Sequence, residues 1–172
     1  MVGLERGTVR LEPYREAWED RYDAERRRLN EVAGDRILDV EHIGSTAVEG
    51  IPAKPVIDVL ALVGDLADAR ALTPVLERHG YERRPEDVDG RLFFAKGPRT
   101  KRTVYLSVAE RGSDFHEEKI AFRDHLREHP ETAERYASLK QQLAERYPEN
   151  REAYTAGKGE FVRDVLDAAM RE

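Results

Sequence analysis

The segment that most limits the fold is PVIDVLALV, residues 55–63, the most hydrophobic run of the chain. Apolar side chains stand at successive positions, so both faces of the segment need cover, which is typical of a central strand in a sheet. Asp58 is the exception in this run. Because an isolated buried carboxylate is costly, Asp58 is expected to be either a structural acid satisfied by backbone N–H groups or part of a functional site.

The rest of the pattern places helices and further strands around this segment. A first helix is expected between Pro13 and Gly34, where large apolar residues recur at helical spacing. RILDVEHIG, residues 36–44, alternates like a strand, with Leu38, Val40 and His42 on one face. Further predicted elements are a helix over LADARALTPVLERHG, the strands RLFFAK and TVYLSVA, and helices from about residue 114 that break near residues 130 and 148. The order predicts an α+β fold with a mixed β-sheet flanked by helices and a helical C-terminal third.

Length and composition exclude several classes of protein. The 172 residues are enough for one hydrophobic core, so residues 1–172 are expected to form a single domain. The chain has no cysteine, which excludes disulfides, thiolate metal sites and a cysteine nucleophile. With neither a signal-like start nor a run of about 20 apolar residues, a cytoplasmic protein without membrane contact is expected. The net charge of −6 argues against general nucleic-acid binding.

The glycine-rich stretch before the central strand is not a P-loop. That motif requires two glycines with four residues between them, and the second glycine is followed directly by Lys and then by Ser or Thr. Here five residues separate Gly44 and Gly50, and Lys54 comes only after Pro52. The stretch instead predicts a strand end, a Gly-Ser turn, a short turn of helix and then the central strand.

That order resembles the nucleotidyltransferase superfamily. In those proteins a Gly-Ser turn at a helix N-terminus holds nucleotide phosphate, and a carboxylate on the adjoining strand holds Mg²⁺. The resemblance implies that Gly44, Ser45 and Thr46 bind a phosphate-bearing substrate. It also implies that Asp58 is the catalytic and metal-binding carboxylate.

Four segments look more specifically like the GrpB family, namely HIGSTAVEGIPAKPVID, FRDHLR, YASLK and YTAGKGEF. The similarity covers nearly the whole chain, from LEPYREAW to the last predicted helix. GrpB proteins resemble a nucleotidyltransferase fold and are also found fused to dephospho-CoA kinases. The resemblance therefore implies a nucleotidyltransferase-like domain whose partner is a nucleotide or a CoA-like small molecule, with Mg²⁺ as the cofactor that accompanies the bound phosphates.

Two positions depart from the catalytic pattern of that superfamily. Active members carry a second carboxylate two residues after the first, where this chain has Leu60. A third carboxylate usually comes from a later strand, where TVYLSVA offers Tyr105 and Ser107. Because phosphoryl transfer with two metals needs several oxygen ligands, a non-catalytic phosphate-binding module is the alternative to a nucleotidyltransferase. A protein-interaction domain is a third possibility, favoured if the RLFFAK hairpin is exposed.

Lysine is scarce in this chain and occurs in suggestive places. Only six of the 29 basic residues are Lys. Lys54 precedes Pro55, which disfavours a helical backbone at that position. Lys140 and Lys158 each follow a tyrosine by four residues and share the apolar side of a predicted helix. A lysine on such a face either extends its amine to solvent or binds an anion.

These observations define one predicted site. Lys54, Arg123, Lys140 and Lys158 are expected to converge on Asp58 and to form an electropositive pocket for a phosphate-bearing ligand. His42 is included as a candidate, although a hydrogen-bonded core histidine is an equally open interpretation. The full predicted substrate-binding set is His42, Gly44, Ser45, Thr46, Lys54, Arg123, Lys140 and Lys158, with Asp58 as catalytic and metal-binding residue.

Overall fold

The computed structural model describes residues 2–5, 8–88 and 90–171. Its helices are α1 (Ala17–Ala33), α2 (Leu66–Arg78), α3 (Asp114–Glu128), α4 (Pro130–Arg146), α5 (Arg151–Ala156) and α6 (Gly159–Ala169). Its strands are β1 (Asp39–Ile43), β2 (Ile57–Val63), β3 (Tyr81–Val88), β4 (Arg91–Lys96) and β5 (Val104–Glu110). In the described part of the chain, no helix combines the length and the apolar character needed to cross a membrane.

The strands form one mixed sheet in the order β1-β2-β5-β4-β3. β2 pairs in parallel with β5, and the other neighbouring pairs are antiparallel. The predicted α+β fold with a mixed sheet, flanking helices and a helical C-terminal third is therefore confirmed.

The two faces of β2 are covered by different helices, as expected for its apolar sequence. Ile57, Val59, Ala61 and Val63 belong to a large core that also contains residues of α1 and α2. Leu60 and Leu62 instead belong to a smaller cluster that includes Phe115 and Ile120 of α3. Because side chains alternate along a strand, Asp58 lies on the same face as Leu60, toward α3 to α6.

Two local features differ from the sequence prediction. Leu38 was expected to share one face of a strand with Val40 and His42, but it is 50% exposed and precedes the first residue of β1. β3 was not predicted at all, because its sequence, YERRPEDV, is charged and contains Pro85. It forms the edge of the sheet, where a proline is tolerated and pairing with β4 supplies the stability.

The N-terminal segment ties together the loop that precedes β2. The amide of Gly3 donates to the carbonyl of Pro55 at 2.7 Å, and Glu12 and Ala53 exchange two backbone hydrogen bonds of 2.9 and 3.0 Å. The backbone is thus held on both sides of Lys54. Further along, the amide of Val9 donates to the carbonyl of Pro148 at 2.9 Å, which joins the same segment to the start of α5.

Candidate functional site

A cavity of about 480 Å³ lies between the sheet and the C-terminal helices. Its walls come from the loop before β2, from β2, β4 and β5, and from α3, α4 and the α5–α6 junction. Asp58 lines the cavity together with five cationic residues, which are Lys54, Arg91, Lys119, Lys140 and Lys158. Four of the six lysines of the chain therefore border one cavity.

Asp58 lies against the Gly44 backbone. In the sheet it stands opposite Ile43 of β1 and Tyr105 of β5. A Cβ atom at Gly44 would come within 2.4 Å of Asp58 Oδ2, and Gly44 has a positive φ of 75°. The close approach of Asp58 and the positive φ each favour glycine at this position, because glycine has no Cβ atom. Burial raises the pKa of Asp58, and the nearby charge of Lys54 opposes that effect.

Lys54 and Lys158 share one aromatic partner. Their Nζ atoms lie 5.1 and 4.6 Å from the centroid of the Tyr154 ring. Burial, reinforced by the charges of Lys158 and Arg151, lowers the pKa of Lys54 to about 7. Burial also lowers the pKa of Lys158 to about 8, although Asp58 opposes the change. An anion in the cavity would offset part of the cost of burial and raise both pKa values.

Lys140 is the most buried cation of the cavity. The residue is 1% exposed, and its Nζ has no hydrogen-bond partner among the described residues. It lies 5.0 Å from the centroid of the Tyr136 ring. Burial and the charges of Lys158 and Lys54 lower its pKa well below the usual range. A buried amine without a hydrogen bond is costly, so this residue marks a position where a ligand acceptor would be stabilising.

The outer part of the cavity combines aromatic and cationic side chains. The Arg91 guanidinium lies 4.6 Å from the Phe93 ring centroid and 5.2 Å from that of Phe115. Lys119 is exposed, and its Nζ lies 5.3 Å from the Phe115 centroid. This part of the cavity offers flat apolar surfaces bordered by positive charge.

His42 is not brought to the cavity. It pairs with Val59 rather than with Asp58, and its ring stacks on Tyr22 of α1 with centroids 4.6 Å apart. Its Nε2 lies 2.9 Å from the Thr46 hydroxyl oxygen. Burial, followed by the charges of Arg127 and Arg123, lowers its pKa to about 3. The structure thus places a neutral histidine on the opposite face of the sheet.

Arg123 is also held away from the cavity. It forms ion pairs with Glu41 at 2.7 Å and with Asp124 at 2.9 Å. The guanidinium also donates to the carbonyl of His42 at 3.0 Å. These contacts attach α3 to β1, so the predicted convergence on Asp58 holds for the three lysines and not for Arg123.

The Gly-Ser turn leads into a short turn of helix, as the sequence predicted. Gly44, Ser45 and Thr46 line the cavity, but Ser45–Ala47 form a single 3₁₀ turn. One such turn has little of the aligned backbone dipole that attracts phosphate to a longer helix. Arg127 donates two hydrogen bonds, of 3.0 and 2.8 Å, to the carbonyl of Ala47. Most positive charge at the site therefore comes from side chains.

Several cavity residues were missed by sequence reasoning. Arg91 and Phe93 alternate with core residues along β4, in the segment RLFFAK that was predicted only as a strand. Lys119 lies on the same helix as Arg123 and Arg127, but these three residues have separate partners in the structure. Tyr154 was noticed only for its spacing from Lys158. Sequence spacing located the lysines but did not show which neighbours share a wall.

Comparison with known proteins gives consistent similarities over the whole chain. The family model described as GrpB protein matches residues 8–168. "Glutamate-rich protein GrpB" of Alkalihalophilus pseudofirmus is 36% identical, with 97% of this chain and 99% of that protein covered. The crystal structure of conserved protein GrpB from Enterococcus faecalis superimposes with a TM-score of 0.85 at 33% identity. That match covers 94% of this chain and 98% of the other.

Other relatives are longer than this chain. "UPF0157 protein YqkA" of Bacillus subtilis is 36% identical over 92% of this chain but only 46% of its own length. A dephospho-CoA kinase of Mycolicibacterium paratuberculosis is 29% identical over 96% of this chain and 47% of its own length. The chain thus spans about half the length of these two relatives.

Proposed function

The chain belongs to the GrpB family, and we propose that its lysine-lined cavity binds a phosphate-bearing small molecule, either a nucleotide or a CoA-like compound. The observation that carries the proposal is the concentration of Lys54, Lys119, Lys140 and Lys158 around one carboxylate in a single cavity. Ammonium groups of like sign repel one another, and the burial of Lys140 adds a loss of hydration, so such a group is expected where an anion offsets both costs.

The charge balance favours a ligand with more than one negative charge. Five cationic residues line the cavity with two acidic ones, Asp58 and the exposed Glu118. Asp58 alone cannot neutralise the lysines around it. A diphosphate or triphosphate presents several charged oxygens to separate ammonium groups, which act as point charges.

The size and the outer walls of the cavity suit the rest of such a ligand. A volume of about 480 Å³ lies within the usual range for small-molecule sites. Phe93 and Phe115 offer aromatic surface beside Arg91. A purine ring could stack there while its phosphates extend toward the buried lysines. The similarity to a dephospho-CoA kinase supports including CoA-like compounds, which also carry an adenine and a diphosphate.

Nucleotidyl transfer is the second candidate function. It is favoured by the direct contact between Asp58 and the Gly44–Ser45 turn, since a carboxylate beside a phosphate site is what such chemistry needs. Against it, Leu60 is fully buried in an apolar cluster, and Ser107 accepts a hydrogen bond of 3.4 Å from Arg91. We therefore favour binding without transfer.

The residues around Asp58 do not fit a metal ion held by the protein alone. Within the described part of the chain, no three residues of the types His, Cys, Asp and Glu are grouped as a metal site. The nearest charged neighbours of Asp58 are cations. Mg²⁺ is proposed only as a companion of the ligand phosphates, which would supply most of its oxygen ligands.

A thermal-shift panel tests the proposed function. The wild-type protein is heated with ATP, ADP, CoA, dephospho-CoA, adenosine and pantetheine, each with and without Mg²⁺. A ligand that prefers the folded state raises the melting temperature. We expect the phosphate-bearing compounds to raise the melting temperature, dephospho-CoA the least among them, and adenosine and pantetheine to cause no shift.

Matched lysine variants complete that test. Lys158→Met should reduce the shift, whereas Lys101→Met, which changes an exposed lysine that is not among the cavity-lining residues, should leave it intact. The proposal fails if no phosphate compound stabilises the wild-type protein. Incubation with α-labelled ATP and Mg²⁺ tests transfer separately, because label on any acceptor would favour the second candidate.

A further inference from the structure

The cavity has a buried end and an accessible end. Lys140 and Tyr136, both on α4, are 1% and 4% exposed. Phe93 and Phe115 are half-buried, and Glu118 and Lys119 are exposed. Lys140 therefore lies deeper in the protein than these outer residues.

The buried end is closed by packed aromatic and aliphatic side chains. The Tyr136 ring stacks on Phe161 with centroids 5.2 Å apart and meets Phe122 edge-on at 5.4 Å. Behind Tyr136 lies an apolar cluster that includes Leu126 and Ala133. A ligand chain cannot continue past this wall without displacing a packed core. Only the end of a ligand can reach Lys140.

The donors at this end match a terminal phosphate. Lys140 Nζ lacks a hydrogen-bond partner among the described residues, and the charges of Lys54 and Lys158 act directly on it. A terminal phosphate presents three oxygens and up to two negative charges to such donors. A phosphate esterified on both sides presents two free oxygens and one charge, and its second substituent would meet the closed wall.

From this geometry we infer that the buried end admits an uncapped, terminal phosphate group, which Lys140 binds directly, and that molecules whose phosphates are all capped bind more weakly. The inference rests on the proposed function and narrows its ligand class. Nucleoside diphosphates and triphosphates satisfy it, and so does CoA through its 3′-phosphate. Dephospho-CoA and ADP-ribose, whose diphosphates carry a substituent at each end, do not.

Two ligand pairs test the inference by titration calorimetry with the wild-type protein. ADP and ADP-ribose share the adenosine diphosphate and differ in whether its end is capped. CoA and dephospho-CoA differ only in the terminal 3′-phosphate. Because a charge-assisted contact is lost with the cap, we expect the uncapped member of each pair to bind about 10- to 100-fold more tightly.

The variant Lys140→Met tests whether Lys140 is the source of the preference for uncapped ligands. Lys140→Met should bring the two members of a pair to within about threefold of each other, since it removes the charge that distinguishes them. Lys101→Met, outside the set of cavity-lining residues, should keep the wild-type preference. Equal binding of both members by the wild-type protein overturns the inference, as does a preference that survives in Lys140→Met.

The failure of the inference and the failure of the proposed function look different. If capped and uncapped ligands bind equally well, phosphate binding stands and only the terminal-phosphate requirement is wrong. If no member of either pair binds, the proposed function itself is wrong. Because the ligand pairs are compared first in the wild-type protein, the test does not depend on the folding of any variant.

Discussion

At the residue scale, the register between strands determines which face of the sheet each predicted side chain occupies, and so which of them line the cavity. Asp58 and His42 both come from apolar strands next to the Gly44 turn, yet His42 pairs with Val59 and so faces α1. The lysines could be predicted because a cation on an apolar helix face needs an anion or a route to solvent. The sequence left His42 open between a core histidine and a site residue, because the choice depends on the register between β1 and β2, and the structure has the core histidine.

Removal of the buried charge should separate stability from binding. Lys140→Met keeps the apolar length of the side chain and removes an amine that burial disfavours. The ligand-free variant should therefore gain about 1–3 kcal/mol in free energy of unfolding at pH 7 while losing phosphate affinity. Denaturant unfolding and titration calorimetry measure the two effects.

The pH dependence of that gain has a definite sign. The pKa of Lys140 is lowered in the folded protein, so between the folded and unfolded pKa values the unfolded chain binds more protons. The free energy of unfolding of the wild-type protein should therefore rise with pH. The amount by which Lys140→Met exceeds it should shrink toward pH 10. A wild-type protein that is more stable than Lys140→Met at pH 7 without ligand would contradict this account.

Anion affinity should fall as pH rises through the range in which the cavity lysines lose protons. The pKa values are about 7 for Lys54 and about 8 for Lys158 in the ligand-free protein. Sulfate is a suitable probe because its own charge is constant between about pH 7 and pH 9, so any change reports on the protein. Sulfate binding, followed by NMR shifts of cavity residues, should weaken steadily over this interval. Constant affinity would show that the amines do not contact the anion.

Gly44 should tolerate substitution less well than another glycine of similar backbone conformation. Gly44 and Gly50 both have positive φ values, 75° and 88°, but a Cβ at Gly50 would meet nothing within 4 Å. Gly50→Ala therefore measures backbone strain alone, at a cost of about 1–3 kcal/mol. Gly44→Ala adds a clash with Asp58 and should cost more in chemical denaturation. Equal losses in the two variants would show that the contact with Asp58 yields easily.

At the element scale, local pattern and pairing contribute differently to each strand. β2 was predicted from its own apolar sequence, which fits a central position. β3 was missed because its charged sequence gives no such signal, and β4 supplies its pairing. The Gly44–Ser45 turn and its short helix were predicted, and Val48 and Ile51 beyond them join the apolar cluster around Tyr136. Strands that are stabilised mainly by pairing with adjacent strands are the ones that the hydrophobic pattern of the sequence fails to predict.

The pairing of β2 with β5 gives a prediction for metal binding. Leu60 and Ser107 are opposite each other in this parallel pair and stand where further carboxylates would be needed. The ligand-free protein should therefore show no binding of Mg²⁺ in the low micromolar range by calorimetry, because Asp58 alone is a poor site. Addition of ADP should make Mg²⁺ binding measurable. Tight Mg²⁺ binding without a nucleotide would mean that other oxygen ligands reach Asp58.

At the scale of the whole molecule, the cavity depends on segments that are far apart in sequence. Lys54 stands in a loop held by residues 3 and 12, whereas Lys140 and Lys158 come from the C-terminal helices. Arg151 links the two regions, since it donates to the carbonyl of Thr8 at 2.9 Å and to the hydroxyl of Tyr105. The spacing of residues could suggest a shared pocket, but these long-range hydrogen bonds carry no local sequence signal.

Loss of the first residues should weaken binding although none of them supplies a proposed ligand contact. Removal of residues 1–5 eliminates the bond from Gly3 to Pro55 and the pairing of Leu4 with Arg102. The loop with Lys54 would then have to be ordered by the ligand, so calorimetry should show lower affinity and a larger entropic cost. Leu4→Ala is the matched control, because it loses buried packing but keeps the backbone bonds. If the deletion and Leu4→Ala lose the same affinity, the loss comes from lower stability of the fold and not from the missing backbone hydrogen bonds.

The hydrogen bond from the amide of Val9 to the carbonyl of Pro148 joins an early segment of the chain to a late one. The binding site can therefore be completed only late in translation. A ribosome releases the loop with Lys54 long before it releases Tyr154 and Lys158. A growing polypeptide can thus complete its sheet while the binding site is still missing a wall. Nascent chains stalled with residue 158 inside the exit tunnel should fail to retain ligand, whereas chains stalled behind an added C-terminal linker, long enough to bring residue 158 out of the tunnel, should retain it. Occupancy by the ligand would therefore report that synthesis has passed this point, and the ligand could not serve as a template for the first half of the chain.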